Sequence, residues 1–258
     1  MPFPNHPGKH RGEALFTPAE HSDYRREHSD GDAATLPEAV IVCYSTTMME
    51  HLTETHDGEF VGHYVGDLFA FESTDGRVGV LGNFGIGAPT TVMLLEELVA
   101  DGVEAFLSVG FAGCLDDAVE MGEFVVCDGA IRDEGTSHHY VESARMAHPS
   151  EAVLAATTDL LTERDESFHV GPSWTTDAIY RETVAEVERY AEAGVLTVEM
   201  EASAVFTVAD HRDVDAGAMF VVSDYLGTDD WEPKFHRTRE DMQRLGETAR
   251  DVLVAHLD

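Results

Sequence analysis

The amino-acid sequence predicts an α/β fold, a three-layer arrangement in which a mixed, largely parallel sheet is flanked by helices on both faces. Two observations carry this expectation. Short apolar runs alternate with longer segments whose apolar residues recur at helical spacing, and such alternation builds strands joined by crossover helices. The chain has 258 residues, 43% of them hydrophobic, which suits one large α/β domain or two small ones.

The elements follow in order. Residues 1–38 form a polar N-terminal arm carrying Pro2, Pro4, Pro7, Pro18 and Pro37 together with His6, His10, His21 and His28. One short helix is expected over Pro18–His28, capped by Thr17, with Pro18 at the first helical position. The histidines match no standard metal spacing, so the arm is read as solvated. Residues 39–258 then form a single domain. Ala39–Tyr44 is a continuous apolar run and reads as a buried strand. Phe69–Glu72 and Arg77–Phe84 flank Asp75-Gly76, a hairpin signal. Pro89–Asp101 places Val92, Leu95, Leu98 and Val99 on one helical face and stops at Gly102. Strands are expected at Glu104–Gly110, Gly122–Cys127, Ser167–Gly171, Val195–Val198 and Gly217–Val222. Helices are expected at Ser150–Arg164, Glu182–Ala193, Glu201–His211 and Arg237–Leu257. No repeat or low-complexity stretch interrupts this pattern.

Composition excludes several classes of function. Asp and Glu number 50 against 16 Lys and Arg, so the formal charge is −34. Nucleic-acid binding through a basic surface needs clustered cations, and attraction to an anionic membrane needs the same. Neither fits. The apolar content is too high for a disordered acidic tail. Lys9 and Lys234 are the only lysines, and the acids are dispersed along the chain. That pattern resembles proteins of extreme halophiles, where molar salt shortens the Debye length to about 3 Å and screens self-repulsion. Cys43, Cys114 and Cys127 are too few and too scattered for a disulfide framework or zinc site, and suit small buried hydrophobes in a reducing cytoplasm. No apolar stretch reaches the ~18 residues of a membrane span, and the N-terminus has no apolar signal core.

Four segments carry candidate chemistry. Gly82–Thr90 (Gly-Asn-Phe-Gly-Ile-Gly-Ala-Pro-Thr) links a strand to a helix, where glycines admit a ligand and a helix N-terminus favours an anion. Ser108–Gly113 (Ser-Val-Gly-Phe-Ala-Gly) closes another strand, the end at which α/β sheets gather ligands. A plain turn explains either of these glycine segments equally well. Val198–Ala204 (Val-Glu-Met-Glu-Ala-Ser-Ala) sets two glutamates at a strand-to-helix junction. There they can satisfy free helix amides or accept hydrogen bonds from vicinal sugar hydroxyls. Val221–Asp224 ends a buried strand on a carboxyl group suited either to capping or to proton donation.

In this order and spacing the four segments resemble the nucleoside phosphorylase-I family, which holds purine nucleoside phosphorylases, uridine phosphorylases and methylthioadenosine nucleosidases. The resemblance covers roughly residues 39–257, and Val-Glu-Met-Glu-Ala is its most specific motif. It implies a distorted barrel flanked by helices, a homo-oligomer built from dimers up to a possible hexamer, and no metal or organic cofactor, with inorganic phosphate as co-substrate. Glu201 matches the residue that holds the ribose 2′- and 3′-hydroxyls, Met200 the methionine beside the sugar, and Glu199 a companion carboxylate. Trp174 falls where the family stacks an aromatic on the base. Ile86, Gly110, Phe111 and Ser223 complete the expected nucleoside pocket. Asp224 matches the purine-branch aspartic acid that protonates N7, with Arg237 at the spacing of the arginine that pairs with it.

The sequence also departs from the family. The arginines of the familiar phosphate cage are absent, since Ser108 and Phe111 stand in the strand-end turn and Tyr44–Met48 carries no arginine. Ser45, Thr46, Ser108 and Thr90 are left as candidate phosphate ligands, with Arg132, Arg145 or an arginine of the arm as the conjectured cation. His138 or His139 is a further candidate, for the ribose 5′-hydroxyl. The leading expectation is phosphorolysis of purine ribonucleosides. Hydrolysis by water, uridine as substrate, and nucleoside binding without turnover remain open beside it.

Overall fold

A computed structural model describes residues 3–28, 35–142, 144–226, 231–235 and 238–258. The helices are α1 (Pro18–His28), α2 (Thr46–Thr55), α3 (Ala88–Asp101), α4 (Glu151–Glu163), α5 (Val184–Glu192), α6 (Ala202–His211) and α7 (Arg239–Leu257). The strands are β1 (Ala39–Cys43), β2 (Gly58–His63), β3 (Asp67–Phe71), β4 (Val78–Gly82), β5 (Ala105–Cys114), β6 (Phe124–Asp133), β7 (Met146–Ala147), β8 (Phe168–Thr176), β9 (Thr197–Glu199), β10 (Asp215–Leu226) and β11 (Trp231–Pro233). All pair into one sheet, ordered β11-β10-β6-β8-β9-β5-β1-β4-β3-β2, with β7 on β6. A further parallel pairing of β10 with β5 closes β5, β10, β6, β8 and β9 into a ring. The predicted three-layer mixed sheet with a distorted barrel is the observed architecture.

Strand alternation divides the core. Ala39, Ile41 and Cys43 of β1 face Met48 and Leu52 of α2, Val153 of α4 and Leu245, Val252 and Leu253 of α7. Val40 and Val42 point the other way, toward Leu94, Leu95 and Leu98 of α3 and Val205 and Phe206 of α6. A strand buried on both faces has to be apolar throughout, which is why β1 reads Ala-Val-Ile-Val-Cys. The bidentate pair Arg212–Glu96, at 2.6 and 2.9 Å, ties α6 to α3.

The expected helices and the hairpin are present, and Asp75 and Gly76 sit at φ 54° and 75° in its turn. The long strands differ from expectation, because β5, β6, β8 and β10 all run past their expected ends, at Gly110, Cys127, Gly171 and Val222. Gly110 and Gly113 lie inside β5. A Cβ on Gly110 would press the Tyr44 ring at 3.2 Å, and one on Gly113 would collide with Leu226. These glycines make room for crossing side chains and do not turn the chain. Helix α2 and strand β2 were not anticipated, since the threonines of α2 are poor helix formers.

Most described residues of the arm are exposed, as expected, while α1 lies against α3. Thr17 and Glu20 cap α1 reciprocally, through Thr17 N to Glu20 Oε2 at 2.7 Å and Glu20 N to Thr17 Oγ1 at 3.2 Å. Helix α1 lacks an apolar stripe and packs on α3 through charge. Arg25 reaches Asp101 at 3.1 Å and Glu97 at 3.5 Å, His21 reaches Glu97 at 3.2 Å, and the Ser22 hydroxyl donates to Asp101. Upstream, Phe3 packs edge-on against His138 and His139, and Lys9 Nζ lies 2.8 Å from His139 Nδ1.

Candidate active site

A cavity of about 580 Å³ opens where β5, β9 and β10 meet the N-termini of α2 and α6 and the chain before α5. Its wall is largely apolar, as small-molecule sites are. Four carboxyl groups interrupt it: Glu182, Glu199, Glu201 and Asp224. No Lys, Arg or His side chain lines it among the described residues. A larger open depression of about 860 Å³ lies between Gly102–Glu104, His148–Ala152 and Asp213–Ala216, and holds none of the sequence-predicted site residues.

The Glu-Met-Glu segment is built by the junction of β9 and α6. Glu199 is 7% exposed and engages donors with both oxygens. Oε2 accepts the Glu201 and Ala202 amides at 2.7 and 2.6 Å, and Oε1 accepts the Thr175 and Ser173 hydroxyls at 2.5 and 3.3 Å. This carboxylate therefore satisfies the amides at the start of α6 and fixes the backbone that aims its neighbour. Glu201, 6% exposed, reaches across to the start of α3, where Gly87 N donates to Oε1 at 2.5 Å. Gly87 needs its glycine, since its φ of 107° is one that side chains rarely adopt. Burial first, and then the Glu199 charge, push the Glu201 carboxyl up from 4.5 to about 8. Burial raises Glu199 too, against its hydrogen bonds. Two acids this deeply desolvated resist ionising together until donors arrive.

Asp224 lies across the cavity on β10, 8% exposed. Ser223 Oγ donates to its Oδ1 at 2.7 Å, and Trp231 Nε1 on β11 donates to its Oδ2 at 2.7 Å. The β5–β10 register slips between Val222 and Asp224, so Ser223 is an inserted residue. A regular strand sends neighbouring side chains to opposite faces, whereas this bulge lets Ser223 and Asp224 both line the cavity.

The structure gathers Glu199, Met200, Glu201, Ile86, Gly110, Phe111, Ser223, Asp224 and Ser45 into this one cavity. Other expectations are corrected. Trp174 is 1% exposed and packs in a core cluster with Leu115, Ile131 and Val187, its Nε1 donating to Asp133 at 3.0 Å. It sits in the interior of β8, where it cannot lie on a base. The aromatic side chains at the cavity are instead Tyr44, Phe111, Tyr180, Phe220, Trp231 and Phe235, with Phe111 edge-on to Phe235 at 6.1 Å. The four candidate phosphate ligands are not brought together. Ser108 is buried with its Oγ 3.1 Å from Tyr44 Oη, Thr46 is exposed and donates to Asn83 at 3.4 Å, and Thr90 stands in the first turn of α3, outside the cavity wall. Arg132 donates Nε to Ser137 Oγ and Nη1 to the Glu142 carbonyl, and its buried Nη2 has no partner among the described residues; it does not line the cavity. His138 and His139 face the arm. Arg237 lies outside the described residues. Reading the sequence missed Glu182, Trp231 and Phe235 as site residues. Glu182 was visible only as an acid next to a predicted helix start. Burial, then the charges of Asp224 and Glu186, raise it from 4.5 to about 7.

A closed ring of strands with an acid-lined cavity at its strand ends defines an α/β protein with a small-molecule-sized site. The chain belongs to the phosphorylase superfamily, whose family model matches residues 38–258. It is 37% identical over 154 residues to a guanosine phosphorylase of Halorubrum lacusprofundi, covering 60% of this chain and 64% of that protein. It is 32% identical over 158 residues to a uridine phosphorylase of Thermococcus kodakarensis, covering 54% of each. The match thus spans less than two thirds of either relative. Among solved structures, a uridine phosphorylase of Vibrio fischeri superposes with a TM-score of 0.74 at 25% identity, covering 85% of this chain and 92% of that one.

Proposed function

We propose that the protein cleaves purine nucleosides by phosphorolysis, giving the free base and ribose 1-phosphate. The observation that carries this reading is that Glu201 and Asp224, on separate elements, face one cavity of nucleoside size. A carboxylate offers about four acceptor sites, so Glu201 keeps capacity for the 2′- and 3′-hydroxyls beside its bond to Gly87. Met200 and Ile86 flank the sugar, and Phe111, Trp231 and Phe235 offer ring faces and edges to the base.

Asp224 takes up a proton from solvent and passes it to N7 as the C1′–N9 bond breaks and the bonding pair leaves with the base. A phosphate oxygen forms the new bond to C1′, and Asp224 regains a proton from solvent. The neutral base is a far better leaving group than its anion. For Asp224 to turn toward N7, its bond to Trp231 has to open. Trp231 is 61% exposed on the edge strand β11, so this partner is free to swing away.

A second reading, hydrolysis by water, is supported by the absence of a cationic side chain in the cavity wall among the described residues. Incubation of guanosine, inosine, adenosine and uridine with and without phosphate, in molar KCl, separates the readings. Phosphate-dependent release of purine is the expected result. Base release independent of phosphate would select water, and release from uridine alone would remove the purine assignment.

A further inference from the structure

The two acids at the start of α6 differ in their donors. Strands β8 and β9 run in parallel with Ser173 opposite Thr197 and Thr175 opposite Glu199, which sets hydroxyls beside the carboxyl. All four residues are buried. A backbone amide can only donate, and a hydroxyl has one hydrogen to give. The Ser203 amide donates to Thr175 Oγ1 at 3.0 Å, so the Thr175 hydrogen is directed to Glu199 Oε1, 2.5 Å away. Thr197 Oγ1 donates to Ser173 Oγ at 3.1 Å, and Ser173 shares its own hydrogen between the Thr197 carbonyl and Glu199 Oε1. The Glu201 and Ala202 amides fill Glu199 Oε2. A proton on either oxygen of Glu199 would leave one of these buried donors without an acceptor. Glu201 is different. Gly87 N is the one donor in hydrogen-bond geometry with it among the described residues, with the Met200 amide near. The groups around the two acids add no cation. Burial raises Tyr44, ahead of α2, and Cys127, on β6, so both stay neutral. Glu182 and Asp224 share the cavity wall, and Glu134 accepts the Ser203 hydroxyl at 3.1 Å.

We propose that Thr175 is a positioning residue that holds negative charge on Glu199, so that Glu201 carries a proton in the free protein and gives it to solvent when the two ribose hydroxyls dock. This rests on the sugar-binding reading of Glu201 above and deepens it. The Glu201 O–H bond breaks, the proton passes to water, and the electron pair left on the oxygen accepts a hydroxyl; nothing is oxidised or reduced. Donors to the charged form of an acid favour that form, so the sugar supplies what the cavity wall does not. Binding then tightens as pH rises, by up to about tenfold per pH unit while one proton leaves. The upward pull of burial and of the Glu199 charge on Glu201 in the empty site agrees with this order of ionisation. A second negative charge thus stands beside the sugar only when a nucleoside is present.

The test counts protons. The probe is formycin B, an inosine analogue whose C–C glycosidic bond neither phosphate nor water cleaves, and whose N–H at the purine N7 position asks no proton of Asp224. Calorimetry in molar KCl at pH 7, without phosphate, in PIPES and in Tris reads the protons released from the difference in heat. Wild type should release about one proton per formycin B bound, and its Kd should tighten about tenfold from pH 6 to pH 7. T175V frees a lone pair on Glu199 for the proton, so release should fall about twofold or more, and T175S should restore it. A merely structural role would alter affinity or melting midpoint and leave the count unchanged. An unchanged count in T175V overturns the assignment, as does wild-type binding without release, and either result leaves the sugar site standing. If wild type binds no formycin B, the sugar reading fails, and urea denaturation of E199Q decides on the charge. An amide accepts at one atom only, so with Glu199 a fixed anion the E199Q midpoint should drop at every pH from 5 to 9, and a midpoint at or above wild type would overturn it.

Discussion

Replacing Glu201 with Gln should stabilise the free protein while disabling it. In the folded protein this carboxyl is raised from 4.5 to about 8, by burial and then by Glu199. The raised value gives the sign. Between these limits the folded protein holds a proton that the unfolded chain has released, so stability falls as pH rises through the window. Each pH unit costs about 1.4 kcal/mol, so the penalty is near zero at pH 4.5, about 3 kcal/mol at pH 7 and levels off near 5 kcal/mol above pH 8. Glutamine carries no such proton, and its Oε1 can still accept from Gly87. Urea denaturation of both proteins in molar KCl from pH 5 to 9 reads the difference. The E201Q curve should lie above wild type by a margin that widens with pH and then flattens. Parallel curves would refute the reasoning. Turnover should fall at the same time, because an amide grips two hydroxyl donors poorly.

Other perturbations probe the remaining parts. Asp224→Asn should lower purine-nucleoside cleavage by about 10²–10⁴-fold with circular dichroism unchanged, and near-normal turnover would remove it from the chemistry. Trp174→Phe should cost about 1–3 kcal/mol in stability, since it leaves a gap where the buried indole packs, and leave KM within twofold; a tenfold rise in KM would return Trp174 to the base site. Arg25→Ala strips Glu97 and Asp101 of their shared cation and should cost about 1–3 kcal/mol by denaturation midpoint, whereas no loss would mean α1 is held otherwise. Burial pushes the thiols of Cys43 and Cys114 up to about 12 and about 11, so a thiol reagent at pH 8 should label neither before unfolding.

The parts legible in the sequence were those where one physical rule acts alone. Val40–Cys43 is apolar because both faces of β1 are covered, and no other constraint obscures that run. The Glu-Met-Glu junction was legible because acids rarely follow so apolar a strand. Where two rules competed, the wrong one was read. Gly110 and Gly113 look like turn residues, yet they are spaces cut for Tyr44 and Leu226, and only the tertiary neighbour reveals the difference. Helix α1 shows no apolar stripe because it docks by ion pairs, and linear periodicity cannot report charges that meet across the fold. Trp174 was assigned by resemblance, but β8 runs five residues past its expected end at Gly171 and carries that position into the core. Glu182 gave no signal because an acid before a helix is ordinary in sequence. Its place in the cavity wall is visible only once the chain is folded.

The slip in register at Ser223 has a further consequence. The extra residue lets a hydroxyl and a carboxyl stand side by side on one face of a strand, where strict alternation admits a single side chain. Removing Ser223 would place Asp224 directly after Val222 in the register it already holds opposite Gly113. The carboxyl would keep its direction and lose only the hydroxyl that donates to its Oδ1. A one-residue deletion here therefore removes a hydrogen-bond donor without moving the acid.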